Sequence, residues 1–471
     1  MFGCLASEKT RWTSINRASL AVTALSQRNS GLWVLPTSPK ELSLTFASPS
    51  SAEHEIRSGE KLDAAESFGS ESITVTWLAL IALRGTLGRP PSFLVQSALT
   101  RLQKICKNGA FGSVLPGIKD GLRINESARH TAMALLTRLD FSDESDPDAR
   151  IRLLAPTADW LIRTRSKNGW PYEVKNPDID EPQTTAACLC ALSCFLAEIE
   201  RSCSAARSDE FGSKIRPALL AGFDGLLGLR RGDFWEGIYP DTEVADNAFI
   251  FGLLSVGAKK GRLGHYVPSL TAELSDLRTR LAHRALTNGW PAFFSDIVPS
   301  LAATISVLLV MDDFLRTNEK RELRDLRERA KSFIANELLG KGETSQLKTW
   351  DWVMLARLAP NYANPLSESE RNSVIAQIKT MRENAANGTL TRQVLIGIPK
   401  IAHAAIWHSL TRGQRLVDRG FWQACLTQLR GHLTSVVRWV AGTIAAALAV
   451  LFRDQIVDSL KAIFRMLFSA H

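Results

Sequence analysis

The sequence predicts an all-α protein, an (α/α)6 toroid of six helix pairs followed by a C-terminal helical tail with a hydrophobic segment. Three observations lead there. Apolar residues recur at helical spacing, and alternating period-two runs are nearly absent. A glycine beside an aromatic residue recurs along roughly residues 10–360, each time between an amphipathic stretch and a more apolar one. The second member of each pair is apolar nearly all round, as expected of helices enclosed by protein.

The corners come in order at Gly31 with Trp33, Gly109 with Phe111, Gly169 with Trp170, Gly232 with Phe234 and Trp235, and Gly289 with Trp290; Gly340 marks a sixth without an aromatic neighbour. Asn108, Asn168 and Asn288 precede three of these glycines. Asn-Gly takes left-handed backbone angles at little cost, so it ends a helix and turns the chain. Between corners, 148–166 places Ile151, Leu154, Ala158, Leu161 and Ile162 on one face and Arg150, Arg152, Arg163 and Arg165 elsewhere, the pattern of an outer helix. The inner helices are expected at 73–83, 132–139, 185–196, 244–256, 301–310 and 350–358. The polar stretch 36–70, rich in Ser, Pro and Glu, reads as a surface insertion inside the first pair. The domain plan is therefore a toroid over 1–360, a basic helical tail over 361–432, and a membrane-associating segment over 433–471.

The tail differs from the body in charge. The chain of 471 residues has 57 Lys and Arg against 48 Asp and Glu, a net +9. Residues 371–471 hold 13 basic and 4 acidic residues, so the first 370 hold 44 of each sign and are neutral. Residues 433–452 are a twenty-residue apolar run whose one charge, Arg438, stands near its start; that length spans a bilayer core. An Arg there can snorkel to the headgroups. After it, Ile456, Val457, Leu460, Ile463, Phe464 and Leu467 fall on one helical face with Lys461 and Arg465 on the other, which suits an interfacial amphipathic helix. A buried helical hairpin accounts for the same apolar run. Basic residues spread among apolar ones favour anionic lipid headgroups over nucleic acid as the partner of 371–471. The N-terminus does not read as a secretory signal, and seven cysteines without paired spacing fit a reducing compartment. The expected location is the cytoplasmic face of a membrane, anchored at the C-terminus.

The repeats NGWPYEVKNPDIDEPQTTAACLCAL, NGAFGSVLPGIKDGLRINESARHTAMALL and NGWPAFFSDIVPSLAATISVLL resemble the prenyltransferase and squalene-cyclase repeat, as a divergent member of that α/α-toroid superfamily. The resemblance implies a central cavity ringed by the N-termini of the inner helices and their preceding loops. Asp178, Asp180 and Glu181 resemble the aspartate motif by which class II terpene cyclases protonate an alkene or epoxide. That chemistry needs a carboxylic acid kept protonated, facing an apolar pocket whose aromatic faces stabilise a carbocation. The match departs from the pattern, because Pro182, Gln183 and Thr184 separate the acids from Thr185-Ala186. The same acids also suit a helix start, where the dipole favours them. Trp170, Tyr172, Trp235, Tyr239, Asp241 and Trp290 are expected on the cavity wall, with Glu126 and His130 beside Arg129. His130 also fits a capping or packing role. The acids and aromatics of 233–246 fit a glycosidase or lyase, or a solvated loop. Asp312-Asp313 lacks the third acid of a metal–diphosphate motif. No zinc-ligand or phosphate-loop spacing is present, so no metal and no cofactor are expected.

The functional expectation is a membrane-anchored toroid that binds an apolar or isoprenoid-like ligand or a protein partner without turning it over, a design that fits bacterial signalling or defence. The alternatives are a class II terpene cyclase-like enzyme with an aspartate general acid, and a carbohydrate-active toroid.

Overall fold

The computed structural model describes residues 8–27, 31–35, 70–114, 124–142, 144–172, 180–235, 243–314, 321–340 and 349–386. All belong to one compact unit, Leu5–Val417. The second unit, Met1–Cys4 with Asp418–His471, lies outside the described residues, as do the insertion 36–69 and the apolar run 433–452.

The protein is all-α, as expected. In chain order its elements are α1 (Glu8–Leu25), β1 (Trp33–Leu35), β2 (Ser70–Ser72), α2 (Ile73–Leu87), α3 (Ser92–Ile105), β3 (Gly112–Val114), β4 (Ile124–Glu126), α4 (Ala128–Phe141) and α5 (Pro147–Arg163). There follow α6 (Pro182–Ser202), α7 (Ala205–Gly228), β5 (Arg230–Arg231), β6 (Phe234–Trp235), α8 (Glu243–Lys260), the single turn α9 (Leu263–Tyr266) and α10 (Leu270–His283). The last are α11 (Leu301–Phe314), α12 (Arg321–Gly340), α13 (Thr349–Leu358) and α14 (Glu368–Ala386).

The helices expected to be inner pack in a closed cycle. α2 lies against α4, α4 against α6, α6 against α8, α8 against α11, α11 against α13, and α13 returns to α2. The others pack on this ring: α3 on α4, α5 on α4 and α6, α7 on α6, α10 on α8, α12 on α11, and α1 on α2 and α13. The burial pattern follows the sequence. Ile151, Leu154, Ala158 and Leu161 of α5 are buried while Arg152 is exposed, whereas nearly every residue of α6 from Pro182 to Leu192 is buried. Among the described residues, α6 is long and apolar enough to cross a membrane, but it stands in the middle of the helix packing.

The corners fold into short strands, which the period-two pattern is too brief to reveal. β1, β2, β3 and β4 form one antiparallel sheet in that order, joining the starts of α2 and α4, and β5 pairs with β6. The corner tryptophans share one job. The indole Nε1 of Trp33, Trp170, Trp235 and Trp290 donates to a carbonyl of the preceding outer helix, at Thr23, Leu161, Leu226 and Leu281, at 2.6–2.7 Å. The corner backbone N–H donates the other way, into the inner helix. Trp33, Phe111, Trp170 and Trp290 reach Thr76, Thr131, Thr185 and Thr304 Oγ1 at 2.9–3.1 Å. In the fourth repeat the acceptor is Asn247 Oδ1, 3.0 Å from Trp235 N. Each tryptophan corner thus ties an outer helix to the next inner helix through groups that would otherwise be buried without partners, while the Phe111 corner makes only the bond into the inner helix. Gly169 is required here: its φ is +146°, and a Cβ would stand 2.4 Å from Thr185 Oγ1.

Candidate functional site

The starts of the inner helices meet at one end of the ring. Ser127 caps α4, its Oγ accepting from His130 N at 3.4 Å. The next residues, Arg129 and His130, enter the first turn. Glu181 stands at the N-cap of α6 with its side chain fully buried. Arg129 Nη1 lies 3.5 Å from Glu181 Oε1, and its guanidinium sits over the Phe249 ring, 5.4 Å from the centroid. Thr184 Oγ1 donates to Glu181 Oε2. Phe249, on α8, meets Trp350 of α13 edge to face at 5.2 Å.

These contacts cross the ring. α4 and α8 are separated by α6, and α8 and α13 by α11, so Arg129, Phe249 and Trp350 project inward past the intervening helices. The result is a polar pair, Arg129 with Glu181, set against aromatic faces in the interior. His130 is buried and stands 6.0 Å from the Tyr172 ring in a T-shaped contact. Burial, and secondarily the charge of Arg129, lowers its pKa to about 3, so it is neutral at physiological pH. One turn beyond Thr184, Cys188 Sγ approaches Ala128 O at 3.7 Å. Its thiol is pushed well above the ordinary range by burial and then by the charge of Glu181, so it is an inert packing group.

The structure gathers His130, Tyr172 and Glu181 of the residues that the sequence singles out. Asp180 is elsewhere: half-buried, it accepts from Ser166 Oγ at 2.6 Å in the loop before Gly169 and pairs through its backbone with Pro171. Glu126 is half-buried, in β4 opposite Gly112. Trp170, Trp235 and Trp290, expected on the cavity wall, are held between the helix layers by their N–H bonds. The Trp170 ring lies where a Cβ on Gly222 of the outer helix α7 would meet it at 2.4 Å. Asp178, Tyr239 and Asp241 lie outside the described residues. Of the neighbouring acids, Glu243 Oε2 accepts from Phe294 N at 3.1 Å. Asp312 is buried and accepts from Asn361 Nδ2 at 3.2 Å, with Arg327 at 3.9 Å.

Sequence reasoning misses Phe249, Trp350 and Thr184, and passes over Arg129 as a neighbour of His130. Arg129 carries a usable signal, because a cation in the first turn of a helix opposes the dipole and needs another reason to be there. Phe249 carries none, since on a helix apolar all round the period does not show which face points inward.

No family model and no curated protein matches the chain. Among solved structures it is similar to the type II terpene cyclase MstE from Scytonema in its apo form, with a TM-score of 0.46 and 12% identity over 76% of this chain and 98% of that one. It is similar to the same degree to a variant of that enzyme in complex with its product, merosterolic acid A. A further variant, in complex with the substrate geranylgeranyl dihydroxybenzoate, gives a TM-score of 0.43 at 12% identity over the same shares. A likeness this remote carries no function across.

Proposed function

We propose that this chain is a membrane-anchored binding module, a sensor or adaptor whose helical ring holds an apolar or isoprenoid-like ligand without turning it over. The observation that supports this is the pairing of Glu181 with Arg129. Protonating an alkene needs a carboxylic acid that carries its proton and faces π surfaces free to receive a carbocation. Here the buried carboxylate is balanced by a guanidinium, and that guanidinium covers the Phe249 ring. A cation generated beside it would meet like charge in a low-dielectric interior. Asp180 is engaged by Ser166 in the corner loop.

Incubating the purified full chain with squalene and with linear prenyl diphosphates tests the reading. Binding without product is the expected result. A second reading, a class II terpene cyclase-like enzyme with Asp178 or Asp180 as the acid, draws on Asp180 and the aromatics Tyr172, Phe249 and Trp350, all near the starts of inner helices. Turnover that Asp180→Asn abolishes establishes it in place of the first.

The anchor belongs to the same proposal: the apolar run 433–452 and the basic residues of 371–471 hold the chain to anionic lipid on the cytoplasmic side. Deleting 433–471 moves the protein from the membrane to the soluble fraction; an unchanged distribution refutes anchoring there.

A further inference from the structure

We infer that the polar end of the ligand is an uncharged hydroxyl, received between Arg129 and Glu181; this rests on the binding reading above. Glu181 Oε1 is fully buried, and among the described residues it accepts no hydrogen bond. Its nearest cation, Arg129 Nη1, stands 3.5 Å away, beyond a good N–H···O contact. Arg129 is itself only 13% exposed. Its guanidinium carbon stands 5.4 Å from the Phe249 ring centroid, a contact that uses none of its five N–H groups on an oxygen acceptor. Among the described residues the Arg129 guanidinium donates no hydrogen bond. A fully buried carboxylate oxygen without a donor therefore faces a half-buried cation beyond good hydrogen-bond length, a costly state for the oxygen unless something bridges the two.

An oxygen beside the pair, accepting from Arg129 and donating to Glu181, would satisfy both. A hydroxyl does both, whereas an ether oxygen can only accept and a carboxylate or phosphate cannot donate. Charge selects in the same direction. Arg129 and Glu181 already sum to zero, so an anionic headgroup would leave a net charge in a site lined by Phe249 and Trp350. The chemical class is an apolar alcohol, its chain against the aromatic rings and its hydroxyl on the ion pair.

The experiment compares geranylgeraniol, its methyl ether and geranylgeranyl diphosphate, which share one C20 chain, by calorimetric titration of the full chain in detergent. The alcohol is expected to bind about tenfold or more tighter than either, the value of one hydrogen bond to a charged group. In Arg129→Gln/Glu181→Gln, which removes both charges and leaves no unpaired one, the alcohol's advantage over the ether falls to about twofold or less. The comparison within the unaltered protein depends on no variant folding. Equal binding of alcohol and ether overturns the hydroxyl site and leaves an apolar-ligand module, with water in the gap. Tighter binding of the diphosphate overturns it in favour of an anion site. No binding of any of the three overturns the binding reading for this ligand class, and the inference with it.

Discussion

Thr185→Val isolates the bond on which the repeat is built. Trp170 N donates to Thr185 Oγ1 at 3.0 Å, both residues are fully buried, and valine keeps the shape while removing the acceptor. The Trp170 N–H is then left without a partner, at a cost of about 1–3 kcal/mol. Thr137→Val is the control. Thr137 is equally buried, but its hydroxyl only donates back to Met133 O, one turn earlier in the same helix, at 2.7 Å. Losing that bond orphans no donor, and the expected cost is about 0–1 kcal/mol. In a body of this size 1 kcal/mol moves the melting temperature by about 1.3 °C, so Thr185→Val lowers it by roughly 1–4 °C. Thr185→Ser keeps the oxygen and recovers most of the loss. Thermal unfolding followed by circular dichroism at fixed protein concentration reads all three. If Thr185→Val costs no more than Thr137→Val, or Thr185→Ser costs as much as Thr185→Val, the corner bond is not what holds the layers together.

Four further outcomes follow from the same geometry. Asn247→Ala removes an amide that accepts from Trp235 N at 3.0 Å and donates to Trp235 O and Glu243 O at 2.9 Å each, so its melting temperature falls below that of Thr185→Val. Gly169→Ala is strained by its φ of +146° and by the 2.4 Å approach to Thr185 Oγ1, and it loses more than about 1 kcal/mol in chemical denaturation. Arg129→Gln alone leaves Glu181 buried without its countercharge and costs about 3–5 kcal/mol, most of which Glu181→Gln restores in the double variant; a double variant as unstable as the single one refutes the pairing. His130, lowered to about 3 in the fold against 6.5 unfolded, binds its proton only in the unfolded chain between those values. Its contribution is therefore complete above about pH 6.5 and is lost as pH falls towards 3, at most about 1.4 kcal/mol per pH unit. His130→Phe flattens the stability profile between pH 4 and 6.5, and an unchanged slope places the loss on other groups.

The corner bonds also explain which parts of the fold are legible in the sequence. A corner and its two helices are neighbours in the chain, and each corner tryptophan stands nine or ten residues after the outer-helix carbonyl it binds, so the recurrence of the glycine–aromatic corners gives both the all-α class and the inner and outer assignment. The same recurrence misleads about the site. Trp170, Trp235 and Trp290 make the same tie between layers in three repeats, and a residue that recurs for such a tie is placed by the architecture rather than by a ligand. The interior is made instead by residues that occur once. Arg129, Glu181, Phe249 and Trp350 come from four inner helices, and only their meeting across the ring gives them a joint role.

The acids show the same division. Asp180 and Glu181 are adjacent acids in the sequence, yet one is held by Ser166 in the corner loop and the other meets Arg129. Their separation is fixed by the backbone pairing of Asp180 with Pro171, which sets Glu181 as the last residue before α6 and directs its carboxylate into the helix starts. An acid at the N-cap of α6 and a cation in the first turn of α4 differ in what they need from the protein. The first is favoured by its helix dipole, while the second is opposed by it and is held there by Glu181 and Phe249. Arg129 is for that reason the residue whose presence the fold alone explains least, and the one on which a functional reading of this ring turns.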